Sequence, residues 1–86
     1  MASYKLLMKS SAAKELECAP RKDRARIVRK IAGLAACPRP VGSEKLSGEE
    51  KYRLRQGDYR VLYLVDDASM TVTVVKIGHR REIYRA

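Results

Sequence analysis

The chain has 86 residues, 45% of them hydrophobic, and carries 19 Lys and Arg against 10 Asp and Glu, a formal charge of +9. That length leaves room for one domain, residues 1–86, with one modest core, and the apolar share excludes wholesale disorder. No apolar run reaches the length of a membrane span, the start MASYKLLMKSS is too weakly apolar for a signal peptide, and the charge favours an acidic partner.

Residues 3–9 read as a short strand of mixed pattern. Ser10 or Ser11 is expected to accept a backbone N–H and cap a helix running to about Cys18. Pro20 suits the first turn of a second helix, where its missing N–H has no intrahelical partner to lose. Ile27, Val28, Ile31, Leu34 and Ala35 then recur at helical spacing as one apolar stripe. The opposite face carries Arg21, Lys22, Arg26, Arg29 and Lys30, most simply a solvated surface. Pro38 is expected to end this helix, and residues 37–50 (CPRPVGSEKLSGEE) read as a loop rich in Pro, Gly and Ser.

From Lys51 the period changes to two. Tyr52 and Leu54 alternate with Lys51, Arg53 and Arg55, giving a strand with one apolar and one basic face. QGD at 56–58 reads as a turn, VLYLV at 61–65 as a central strand, DDAS at 66–69 as a second turn, and TVTVVKI as the last strand. Two parity conflicts stand out. Arg60 shares its face with Leu62 and Leu64, and in the last strand the apolar positions shift from Val72 and Val74 to Val75 and Ile77. A bulge or strong local twist would reconcile them. The expected fold is α+β, ordered β-α-α-β-β-β, with a helical hairpin on one face of a twisted, mostly antiparallel sheet.

Cys18 and Cys37 fall near the C-terminal ends of consecutive helices. If these pack antiparallel, the ends lie about 25 Å apart at ~1.5 Å per residue, far beyond the ~7 Å between Cα atoms that a disulfide spans. Two free thiols in a reducing cytoplasm is the reading that fits. With one His and no Cys/His cluster, a zinc site is not expected.

The basic residues are the chemically informative ones. Taken alone, Lys51, Arg53 and Arg55 would be a solvated strand face or a guarded edge. Arg60 flanks an apolar strand, where a charge is harder to excuse. His79, Arg80, Arg81 and Tyr84 follow the last strand. Tyr52, Tyr59 and Tyr63 read as core or half-core residues rather than platforms for stacked bases.

In this order and at this length, KLSG at 45–48, YRLRQGDYRVLY at 52–63 and VVKIGHRREIY at 74–84 resemble the RelE branch of the RelE/ParE superfamily of bacterial toxins. With the preceding strand and helices the resemblance covers essentially the whole chain. It implies a toxin of a type II toxin–antitoxin system, an endoribonuclease that cuts messenger RNA in the ribosomal 30S A site, without metal or small-molecule cofactor. It also implies restraint by a cognate antitoxin. Carried over, the basic strand positions fall on Lys51, Arg53 and Arg55. The arginine after the Gly-x-Tyr turn falls on Arg60, that after the last strand's glycine on Arg80, and the tail tyrosine on Tyr84. Lys45 and Arg81 join the expected phosphate-binding set. The segment between Arg80 and Tyr84 is shorter than in the best-known members, and the chain runs only two residues past Tyr84.

Such cleavage uses the RNA's own 2′-hydroxyl as nucleophile. Guanidinium groups, always charged and forked, suit the phosphorane that forms, and Arg55, Arg60 and Arg80 are expected in that role. Tyr84 or Lys51 is expected as base, with Arg80 or His79 near the leaving oxygen. Contact with ribosomal RNA or antitoxin is a second option for Arg26, Arg29 and Lys30. Two rival readings share the residues: a ParE-like inhibitor of DNA gyrase, and a basic RNA-binding module without chemistry.

Overall fold

The computed structural model describes residues 3–46 and 50–79. Its elements are β1 (Lys5–Met8), α1 (Ser10–Glu17), α2 (Arg21–Gly33), β2 (Ser43–Lys45), β3 (Lys51–Gln56), β4 (Tyr59–Asp66) and β5 (Thr71–His79). The five strands form one sheet in the order β1-β5-β4-β3-β2. β1 runs parallel to β5 and every other neighbouring pair is antiparallel. The α+β reading holds, with one strand more than expected.

The helices cover a single face of the sheet, α1 against β5 and α2 against β3 and β4. Ala12, Ile27, Ile31 and Leu34 meet Leu54, Val61, Tyr63, Val65, Val72, Val74 and Ile77 in the core. Tyr52 and Tyr63 stack there, 5.7 Å between centroids, and the Tyr63 hydroxyl donates to the Pro38 carbonyl at 2.8 Å. The aromatic rings are thus core residues with a polar end satisfied.

Local details differ from the sequence reading for identifiable reasons. Ser10 is the first residue of α1 rather than its cap, and the cap position falls on Lys9, which is extended and makes no side-chain cap. The Lys9 N–H donates instead to the Val74 carbonyl at 2.9 Å, so ladder pairing holds this residue in the strand until the helix begins. Pro20 is the N-cap of α2, and its carbonyl accepts the Arg24 N–H at 2.8 Å. The helix ends at Gly33, ahead of Leu34 and well ahead of Pro38. Part of the expected loop is strand: Ser43, Glu44 and Lys45 pair with Leu54, Arg53 and Tyr52.

The anticipated bulge lies in β5. Leu62 pairs with Lys76 but Tyr63 pairs with Val74, which leaves Val75 as the extra residue. Val72 and Val74 before it, and Ile77 after it, all face the core as a result. The β3–β4 connection is a two-residue hairpin, with Gln56 opposite Tyr59 and Gly57 at φ 58°. Glycine at the first central position with a positive φ is what a type II′ turn requires. Cys18 and Cys37 are free and exposed.

Candidate functional site

The register of β3 and β4 decides which side chains share a face. Arg55 pairs directly with Arg60, Arg53 with Leu62 and Lys51 with Leu64. Directly paired residues point to the same side, and alternation puts this set opposite Leu54, Val61 and Tyr63. Lys51, Arg53, Arg55 and Arg60 therefore stand together on the face that the helices leave open. The cations on β3 recur every ~7 Å, two residues at about 3.3 Å each. Lys51 lies about 13 Å along the strand from the Arg55–Arg60 pair by the same rise.

Arg60 is the only buried charged side chain among the described residues, at 8% exposure. Its Nη1 donates to the carbonyls of Gly57 at 3.2 Å and Tyr59 at 3.1 Å. Two hydrogen bonds from one nitrogen fix the guanidinium plane, while Nε and Nη2 have no partner among the described residues. The hairpin turn thus presents an oriented cation at the end of the sheet. Gly78 pairs with Arg60 from the other side, and its lack of a side chain keeps that neighbouring position open.

An anion already visits this face. Glu44, on the edge strand β2, pairs with Arg53 in register and forms an ion pair with its guanidinium. The Arg53 hydrogen bond, then the charges of Arg53, Arg55 and Arg60, hold the Glu44 carboxyl below its ordinary range. Those three arginines consequently act on one carboxylate as a common positive field. Sequence reading did not find Glu44, because SEK carries no apolar alternation to mark β2.

Other expected site residues lie elsewhere. His79 pairs with Tyr59, one step out of phase with the Gly78–Arg60 pair, and packs edge-on against the Tyr59 ring at 5.7 Å. Together with Glu15, Cys18 and Ala19 it lines a cavity of about 390 Å³ under the end of α1. The structure does not bring it to the face that holds Arg60. Glu15 has a task of its own there, accepting the Ile77 N–H at 3.2 Å and pairing with Lys76 at 3.6 Å where β1 no longer covers the β5 edge. Lys45 pairs with Tyr52, out of phase with Arg53, and its Nζ meets the Glu50 carboxylate at 3.4 Å. Arg80, Arg81 and Tyr84 lie outside the described residues.

A second polar cluster occupies the far end of the sheet. Arg39 pairs with Asp67 at 2.8 Å and Glu50 at 3.1 Å, and its Nε donates to the Tyr52 hydroxyl at 2.7 Å. The Tyr4 hydroxyl donates to Asp67 at 2.6 Å. Arg39 and then Tyr4 hold the Asp67 carboxyl below its usual range, while Arg39, Tyr52 and Lys45 do the same for Glu50. The adjoining concavity, about 510 Å³, is lined by Glu50, Asp66 and Asp67 and so repels a phosphate. The cluster ties the segment after α2 to the β4–β5 turn, and loop composition gave no sign of it.

Comparisons with known proteins agree with this fold. The family profile described as "ParE toxin of type II toxin-antitoxin system, parDE" matches residues 6–84. The chain is 32% identical over 84 residues to the toxin RelE of Mycobacterium tuberculosis, covering 95% of this chain and 87% of that protein. It is similar to a solved toxin–antitoxin complex, RelBE2 of M. tuberculosis, at 27% identity and a TM-score of 0.80, over 92% of this chain and 100% of that one. The archaeal RelE–RelB complex of Pyrococcus horikoshii gives 25% identity and a TM-score of 0.79, over 92% of this chain and 97% of that one.

Proposed function

We infer that this chain, which belongs to the RelE/ParE superfamily and is the toxin of a type II toxin–antitoxin system, cuts messenger RNA on the ribosome. A cognate antitoxin is its partner, as for the similar toxins solved in complex with theirs. The observation that carries the nuclease reading is the shared face of Arg55 and Arg60, with one guanidinium locked by the hairpin carbonyls.

In the proposed reaction the RNA 2′-oxygen attacks the adjacent phosphorus in line. The P–O2′ bond forms, the P–O5′ bond breaks, and a cyclic phosphate and a 5′-hydroxyl result. One proton leaves the 2′-hydroxyl and another reaches the 5′-oxygen. Arg55 and Arg60 flank the phosphorane, and each preorganised donor contributes about 3 kcal/mol to the transition state. Arg53 and Lys51 follow along β3 and hold flanking phosphates. Lys51 is too far along the strand for the reacting 2′-hydroxyl, so Tyr84 takes the role of base, with Arg80 beside the leaving oxygen. His79, on the other side of the sheet, has no part in this scheme. An unperturbed phenol near pH ~10 is a poor base, and ribosomal orientation of the substrate offsets that weakness.

The purified chain added to a cell-free translation reaction tests the reading. Breaks in translated message support it. Intact message with blocked gyrase supercoiling assigns the ParE-like activity, which the description of the matching family profile favours. Intact message with unaffected supercoiling leaves binding without chemistry.

A further inference from the structure

The cleavage face does not account for all of the positive charge. α2 carries Arg21, Lys22, Arg24, Arg26, Arg29 and Lys30 against one acid, Asp23. Arg24 reaches the Glu17 carbonyl at 3.5 Å, whereas Lys22, Arg26, Arg29 and Lys30 make no ion pair among the described residues, and all four are exposed. At about 100° per residue these four fall within one stripe, about 100° wide. The stripe lies on the flank of the helix away from Val28, which is exposed at 48%. Over eight residues at ~1.5 Å each it runs about 12 Å. Like charges so close repel one another, and no ion pair among the described residues offsets them.

We propose that Lys22, Arg26, Arg29 and Lys30 form a second nucleic-acid surface, one that grips the phosphate backbone of double-helical RNA. Its chemistry selects that occupant. Protein interfaces deplete charge at their centre and anchor on apolar or aromatic side chains, and this stripe contains neither. Single-stranded RNA is held by aromatic stacking, and α2 has no aromatic residue. Cations alone read phosphate without sequence. Gly33 ends the stripe with open space around its Cα, so a backbone can approach closely there.

The stripe also leads toward the other site. Arg26, Arg29 and Lys30 line a groove of about 260 Å³ whose fourth wall is Gln56. Gln56 follows Arg55 at the start of the hairpin that carries Arg60. Positive charge thus continues from α2 around the end of β3 to the open face. The inference rests on the ribosomal reading only for where such RNA is met: structured RNA is gripped on α2 while the message lies across the sheet.

The test is a variant with Lys22→Gln, Arg26→Gln, Arg29→Gln and Lys30→Gln, its fold checked by thermal melting against the parent. Binding to a short double-stranded RNA and to its single strand is measured against salt, and binding to the antitoxin is measured alongside. Loss of duplex affinity, with a log–log salt slope shallower by about 3–4 and antitoxin binding unchanged, supports the proposal. Unchanged duplex binding overturns it, and so does an equal loss for single strand and duplex. Weakened antitoxin binding with intact duplex binding also overturns it and gives the face to the protein partner. If the fourfold variant does not fold, the pairs Lys22→Gln/Arg26→Gln and Arg29→Gln/Lys30→Gln are read in the same way. None of these assays requires cleavage, so failure of the nuclease reading in translation is separately visible.

Discussion

Arg55 and Arg60 are directly paired across the β3–β4 hairpin, two like charges side by side on one sheet face. Such a pair destabilises a sheet by a few tenths to about 1 kcal/mol relative to neutral residues. The hairpin tolerates it because Arg60 is tied to the carbonyls of Gly57 and Tyr59, and Glu44 lies within the same field. A visiting phosphate would relieve the repulsion further, and on the proposed reading this would couple RNA binding to local stability.

Replacing Arg60 with Ala removes the oriented donor, and cleavage should fall by about 10²–10³-fold. Arg60→Lys keeps a charge but not the fork, so it should recover little of the loss. Message cleavage and growth arrest measure the effect, with a melting curve to show that the fold survives. Full activity in a folded Arg60→Ala protein would remove the residue from the site.

Glu44 is paired with Arg53, and on the proposed reading it competes there with RNA phosphate. Glu44→Gln should therefore tighten binding to single-stranded RNA and steepen its salt dependence by about 0.7 in the log–log slope, as one more phosphate contact becomes available. Titrations at several salt concentrations read both quantities. Weaker binding would mean that the carboxylate positions Arg53 productively instead.

Gly57 sits at φ 58°, and its carbonyl is one of the two that hold Arg60. Gly57→Ala has open space for the new Cβ but a backbone that L-residues disfavour. The expected cost is about 1–2 kcal/mol, seen as a Tm lower by about 4–8 °C per kcal/mol. Activity should drop more than stability alone explains, because the turn also aims the guanidinium.

The Arg39 cluster gives acid sensitivity a definite sign. Asp67 and Glu50 have folded-state pKa values below their unfolded ones. Their contribution is present above the unfolded values, about 3.9 and 4.3, and is lost as pH falls through the folded values. Arg39→Gln should lower Tm at neutral pH, and the gap to the parent should close below about pH 4. A gap that stays constant with pH would remove the carboxylates from the explanation.

Periodicity made some of this legible and left the rest silent. The shift in parity between Val74 and Ile77 announced the Val75 bulge, and the alternation from Lys51 to Arg55 announced an open basic face. Both signals arise from burial on one side of a strand, which leaves a trace in sequence. β2 left none, since an edge strand with both faces wet needs no apolar alternation, and Glu44 was hidden with it. Arg39 was equally silent: a salt-bridge partner in a loop is chosen by three-dimensional proximity to Asp67 and Glu50. His79 was expected beside Arg60, although it pairs with Tyr59 and so falls one step out of phase with the Gly78–Arg60 pair.

The extra residue in β5 has a consequence for change in this strand. Deleting Val75 would restore strict alternation and leave every later residue on its own side, with Lys76 opposite Leu62, Ile77 still in the apolar layer and Gly78 still beside Arg60. Val75 is therefore a position where a lost codon keeps the strand's sense of inside and outside, whereas an added residue beside it would have to be absorbed by a wider bulge.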